Sequence, residues 1–147
     1  MIRIAIPLAL VAVALVVTLS VSPSSDPVAA AAEESKLAVV DIMVVANAGP
    51  NSLFGQLKGM LKGDGPADEK AWKQVKARTQ VLATLAGLMK KSKPKKGDAA
   101  SWKEQTEGYE AALKKLAAAA AAANAAGTAE EAKLVGRTCG GCHKPHK

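Results

Sequence analysis

The stretch Trp72-Lys73-Gln74-Val75-Lys76-Ala77-Arg78-Thr79-Gln80-Val81-Leu82-Ala83-Thr84-Leu85-Ala86-Gly87-Leu88-Met89 decides the fold class. Trp72, Val75, Thr79, Leu82, Leu85 and Met89 recur at steps of three and four, so on a helix they share one face. Lys73, Lys76 and Arg78 fall largely outside that face. A half-buried strand would need strict alternation, and none stands out beyond residue 32. The segment stops in Lys90-Lys91-Ser92-Lys93-Pro94-Lys95-Lys96-Gly97. Lysine suits the negative end of a helix, and Pro94 and Gly97 prevent continuation.

The same period recurs on both sides of this stretch. Upstream, Leu37, Val40 and Val44 share a face, and Leu53, Leu57, Met60 and Leu61 continue the stripe. Gly49-Pro50 kinks or splits this first helix, and Gly63-Asp64-Gly65-Pro66 ends it. Downstream, a third helix begins near Asp98 or Ser101, where Ser101-Trp102-Lys103-Glu104 fits a capping box. Its stripe is Trp102, Thr106, Tyr109, Leu113, Leu116, Ala120 and Ala123. Alanine, which fills positions 117–123, is the best helix former, and its small side chain lets a helix or a flat ring approach closely. Gly127 is expected to end this helix. Thr128-Ala129-Glu130-Glu131 is expected to cap a fourth, which runs through Leu134 and Val135. Four helices joined by short breaks predict an all-α fold, an antiparallel four-helix bundle.

Residues 1–32 stand apart. Arg3 precedes an almost wholly apolar run, Ile4 to Val21, then a polar stretch with prolines and the small residues Ala29 to Ala32. That order is the layout of a secretory signal peptide cleaved after Ala30 or Ala32. At about 18 residues the run also approaches the length of a spanning helix, so an uncleaved membrane anchor is the alternative. Either one delivers residues 33–147, a single domain, across a membrane.

That domain holds only four aromatic residues, Phe54, Trp72, Trp102 and Tyr109, and is rich in alanine. Its core is thin for its size, and a buried apolar cofactor would supply missing bulk. The net charge is +7. A basic balance suits an acidic redox partner or an anionic membrane surface, or is simply a solvated face. Nucleic acid fits poorly: the lysines are spread along the helices and no recognition motif is present.

Cys139-Gly140-Gly141-Cys142-His143 carries the chemistry. Cys-x-x-Cys-His is the spacing of covalent haem c attachment. Residues three apart share a helix face, so both thiols reach the two vinyl groups of one macrocycle. His143 follows directly and turns a neutral imidazole onto the iron. Two rivals use the same atoms. A Cys139–Cys142 redox disulfide is compatible with export, although such motifs usually open a helix in a fold that has strands. A zinc site from Cys139, Cys142, His143 and His146 meets the ligand count, although adjacent Cys142 and His143 make tetrahedral closure awkward. No Ser/His/Asp set, phosphate loop or paired acid–base carboxylates stand out, so the chain does not read as an enzyme.

With this motif closing the last helix, the chain resembles the cytochrome c′ family, the class II cytochromes c; class I relatives carry the motif near the N-terminus. The likeness covers nearly all of residues 33–147. Asp41-Ile42-Met43 through Asn47 and Leu53 to Gly63 look like the family's first helix, and Lys62 to Asp68 like the loop after it. Ser101-Trp102-Lys103 with Tyr109 is similar to the start of the third helix, and Val135 to His143 to the haem-binding end. The resemblance implies a four-helix bundle with one haem among its helices, His143 as fifth ligand, a periplasmic setting and often a homodimer. Two departures stand out. The family usually places an aromatic three residues after the haem histidine and then an arginine, where this chain has His146 and Lys147. Lys36 only loosely matches a basic residue near the start of the first helix.

The sixth coordination position divides the functional expectations. Met43 lies in the helix that faces the haem in this family, where low-spin members resemble it. Ligation by Met43 gives a low-spin haem suited to electron transfer with a redox partner protein, since methionine favours a higher potential. Alternatively Met43 is packing and Val40 covers the distal face, leaving a five-coordinate haem that sequesters or senses NO or CO. Met60 and Met89 read as core gap fillers. His146, on the proximal side, cannot reach across the ring.

Overall fold

Residues 38–147 are described in the computed structural model; the segment 1–32, with Lys36 and Leu37, lies outside the described residues. Among the described residues the chain is all-helical, without strands: α1 Val39–Asn47, α2 Leu53–Met60, α3 Glu69–Lys91, α4 Ala99–Ala121 and α5 Ala125–His146. None of these helices is long and apolar enough to cross a membrane.

Each start has a chemical cause. The first amides of a helix lack intrahelical partners, and a polar N-cap supplies one. Ser52 accepts from Gly55 N–H at 3.1 Å, Asp68 from Ala71 at 2.7 Å, Asp98 from Ser101 at 2.7 Å and Asn124 from Gly127 at 2.9 Å. Of the two starts expected for α4, Asp98 is the cap, and Ser101 supplies the amide that it satisfies. The boundary before α5 differs more from expectation. Gly127 does not end α4, and Thr128 does not cap α5. α4 stops at Ala121, Ala123 takes φ 51°, and Asn124 caps. Thr128 then lies inside α5 and donates its hydroxyl to the Asn124 carbonyl at 2.6 Å. Alanine on both sides hides the break, and an Asn carboxamide is a strong cap.

Gly49-Pro50 splits the first helical region in two, between α1 and α2. The face expected to be buried on α1 is also displaced. Val40 and Val44 are 53% and 57% exposed, whereas Ile42 and Ala46 are buried. α1 is apolar on nearly every side (VVDIMVVAN), so spacing alone does not choose its inner face. α2 buries Phe54 and Leu57, with Leu53, Met60 and Leu61 packed beside them.

The longer helices follow their stripes. α3 buries Val75, Thr79, Leu82, Ala86 and Met89; α4 buries Trp102, Thr106, Tyr109, Leu113, Leu116 and Ala120; α5 buries Ala132 and Val135. Ala123 is exposed beyond the end of α4. Three threonines inside this core have their hydroxyls satisfied by carbonyls of the preceding turn: Thr79 on Lys76 at 2.9 Å, Thr106 on Trp102 at 2.9 Å, and Thr128 as above. That removes the cost of burying an unpaired hydroxyl. α4 packs most extensively, against α3 on one side and α5 on the other.

Leu113 is fully buried between these helices. Leu113→Ala is expected to cost about 2–5 kcal/mol, measured by denaturant unfolding, whereas Lys115→Ala on the exposed face shifts stability by less than about 0.5 kcal/mol.

Candidate functional site

The last turns of α5 carry Cys139 and Cys142 three residues apart, on one face. Both are half-buried free thiols, and His143 is exposed on the same turn. All three border a cleft of about 360 Å³ whose lining is overwhelmingly apolar. Val39, Val40, Met43 and Asn47 of α1 form another wall; Met89 of α3 with Trp102 and Tyr109 of α4 line it further; Lys95, Lys96 and Lys147 stand at its mouth. The volume lies in the range of small-molecule and cofactor sites. The structure thus brings together the four residues expected to act at one centre: Cys139, Cys142, His143 and Met43.

The electrostatics of the thiols are informative. Burial, and secondarily the neighbouring Cys139, push the Cys142 thiol above its ordinary pKa. A reactive dithiol centre needs the opposite, a thiol lowered by nearby positive charge or a helix N-terminus; these cysteines end a helix. The zinc alternative is not supported by placement: among the described residues, no three or more His, Cys, Asp or Glu groups converge to hold a metal ion.

Two hydrogen-bonded groups shape the walls. On α1, Asn47 lies four residues after Met43 and its amide donates to the Met43 sulfur at 3.6 Å. The same amide donates to the Tyr109 hydroxyl at 2.9 Å, and that hydroxyl lies 3.2 Å from Asn47 Oδ1. Asn47 therefore joins α1 to α4 beside the thioether.

The second group centres on His146. Its Nδ1 lies 2.9 Å from the Lys96 carbonyl and its Nε2 3.2 Å from Ser101 Oγ. A carbonyl only accepts, so Nδ1 carries the proton, and in the neutral ring Nε2 accepts from the serine. The ring meets Trp102 edge-on at 5.3 Å. Gly97, at φ 82°, passes so close that a Cβ there would lie 2.5 Å from Nδ1. His146 is thus a clasp between the α3–α4 loop and the end of α5, and it borders the same cleft as the cysteines.

Sequence reasoning missed Asn47, the clasp at His146, and the place of Met89 on the cleft wall as well as in the core. The four-residue step from Met43 to Asn47 was the one available signal. Comparisons with protein-family models, curated proteins and solved structures find no match to this chain.

Burial first, then the nearby cysteines, push Tyr109 up to about 12, against the lowering effect of its bond to Asn47. It is the only tyrosine in the chain. NMR titration of ring-labelled tyrosine is expected to show a midpoint near 12 rather than 10. Stability is then unaffected by this group below pH 10 and falls as pH rises from 10 towards 12, because the unfolded chain releases the proton first. Gly97→Ala combines a left-handed backbone with a clash against His146, and is expected to destabilise by more than about 1 kcal/mol in thermal unfolding; Gly136→Ala, where a Cβ meets nothing within 4 Å, is not.

Proposed function

We propose that residues 33–147 form an exported c-type cytochrome of the class II kind: an antiparallel four-helix bundle, with α1 and α2 together as its first helix, holding one covalent haem c. Its role is electron transfer in the periplasm. One observation carries the reading: two thiols, an imidazole and a thioether border a single apolar cleft. The residues fit the group, since a macrocycle needs an apolar slot and no Asp or Glu side chain lines this one.

The haem would supply one-electron chemistry at iron. The chain's own residues do the rest. The thiols of Cys139 and Cys142 would hold the group covalently, through thioether links. His143 would supply a neutral imidazole to the iron. Val39, Met89, Trp102 and Tyr109 line the cleft and exclude water from it, and Met43 would be available as a further ligand to the iron. Residues 1–32 are the basis for export, as signal peptide or anchor.

A second reading has its own support. The Met43 sulfur already accepts from Asn47, and Val39 and Val40 line the same space. A thioether kept on the wall would leave iron five-coordinate and open to NO or CO. Neither reading makes the protein an enzyme.

Protein matured with an intact haem-attachment system is expected to gain the mass of one haem and to lose it in Cys139→Ser/Cys142→Ser. A colourless product of unmodified mass would end the proposal. For the ferric protein, electron transfer requires a low-spin spectrum with the long-wavelength band of methionine ligation. Met43→Leu abolishes that band and opens the ferrous form to rapid CO binding, whereas Met89→Leu keeps it. A high-spin wild type that binds CO at once supports the gas-binding reading instead.

A further inference from the structure

Three methionines lie among the described residues, and their sulfurs meet different surroundings. Met89 borders the cleft but is buried, at 3% exposed. Met60 is half-buried at the end of α2 and does not line the cleft. Met43 is half-buried and lines the cleft, on a helix whose Val40 and Val44 face outward. A small oxidant that enters the cleft therefore meets the Met43 side chain first. The polar neighbour of its thioether is the Asn47 amide, 3.6 Å from the sulfur. The bond from that amide to the Tyr109 hydroxyl, at 2.9 Å, fixes the Asn47 side chain, so the donor beside the sulfur belongs to an anchored group. Other donors on the wall are spent elsewhere: the Trp102 indole on the Ser92 carbonyl and the Thr138 hydroxyl on the Val135 carbonyl. A thioether is a weak acceptor, so the Asn47 donor is poorly used. An oxygen carried by the same sulfur would use it fully, because oxidation makes this side chain polar.

We propose that Met43 is an oxidation site for a small hydroperoxide, and that Asn47 captures the sulfoxide formed there. A lone pair of the sulfur attacks one oxygen of hydrogen peroxide. The S–O bond forms as the O–O bond breaks, so the sulfur gives up an electron pair and the peroxide takes it. The departing hydroxide takes the proton from the transferred oxygen and leaves as water. A sulfoxide buried without a partner in an apolar cleft is costly, and an Asn47 N–H that donates to the new oxygen removes that cost. The flexible Met43 chain is then tied to the wall by a strong acceptor in place of a weak one. The capture stands on the cleft and the amide alone. Its consequence rests on the haem reading: a captured Met43 would be withdrawn from the iron, which turns the electron-transfer role into the gas-binding one.

The test treats the matured, isotope-labelled protein with hydrogen peroxide and follows it by peptide mapping, NMR and thermal unfolding. The peptide that holds Met43 is expected to gain one oxygen about 10-fold or more faster than the peptide that holds Met89, since oxidation follows exposure. In step with that gain, a side-chain amide proton of Asn47 is expected to move downfield, and oxidation at Met60 alone leaves it in place. In Asn47→Leu the new oxygen has no donor, so oxidation is expected to lower Tm by more than it does in the wild type. Met43 oxidised no faster than Met89, an unmoved Asn47 amide, or equal losses of Tm in the two proteins would each overturn the capture. On the haem reading, the long-wavelength ferric band fades as Met43 is oxidised and survives while only Met60 is. A band that persists with Met43 oxidised overturns the withdrawal from the iron. If the chain carries no haem, or a haem without that band, the electron-transfer reading fails, while the peptide map, the amide resonance and the Tm comparison still decide the capture.

Discussion

Trp102 is the side chain on which the functional end of the molecule depends. Its ring is buried, its indole N–H is satisfied by the carbonyl that closes α3, its own carbonyl takes the Thr106 hydroxyl, and its edge meets His146. An indole is rarely buried without such a partner. Because the partner is Ser92, burying Trp102 also fixes where α3 stops and how the loop leaves it. Because the ring meets His146, it also fixes where α5 ends. Three segments far apart in sequence are set by one residue, and the cysteines lie on the last two turns of the helix so placed.

The rest of the core explains why the cleft is there. Among the described residues the fully buried large side chains are chiefly leucines and valines (Leu57, Leu82, Leu113, Leu116, Val75, Val135), with threonines filling gaps and Ala86, Ala120 and Ala132 at close approaches. Small residues bring helices together where they meet but cannot fill space where they diverge. At the cleft, Met43 of α1, Met89 of α3, Trp102 and Tyr109 of α4 and the cysteines of α5 line the space without filling it. A cavity of that kind is destabilising while it lacks a partner for its walls, so a ligand that fills it contributes to stability through binding.

Much of this was legible in the sequence, for identifiable reasons. The stripes of α3 and α4 are long and have polar opposite faces, so spacing alone reads most inner positions, from Val75 to Met89 and from Trp102 to Ala120, although on α3 Ala86 is buried where Leu85 was expected and Leu85 and Trp72 are half-buried. α1 could not: nine residues with a single charge, Asp41, do not distinguish Val40 from Ile42 as the inward side chain, and only packing decides. Gly127 and Thr128 looked like punctuation because glycine and a Thr-x-x-Glu pattern are usual signals, yet Asn124, three residues before, had the stronger claim. Cys139, Cys142 and His143 stand out because their spacing is local, and the structure sets all three on one cleft. His146 and Asn47 do not, because their partners lie 45 or more residues away, at Ser101 and Tyr109.

On the proposed haem reading, whether Met43 would bind the iron reduces to a competition over one amide. Asn47 offers its N–H groups to a phenol at 2.9 Å and to a thioether at 3.6 Å. Sulfur is a weak acceptor, so the bond to Tyr109 anchors the amide and the contact to Met43 is the one that yields. Breaking it costs little, because the amide keeps its phenol. The Met43 thioether is thus held within the cleft, near where a ligand would need it, by a bond weak enough to be exchanged for a metal. A stronger acceptor at that position would have been locked to the wall. A methionine without Asn47 would lose the contact that restrains its flexible chain. On the haem reading, the pairing of a soft side chain with a loosely held amide would leave Met43 free to stay on the wall or to bind the iron.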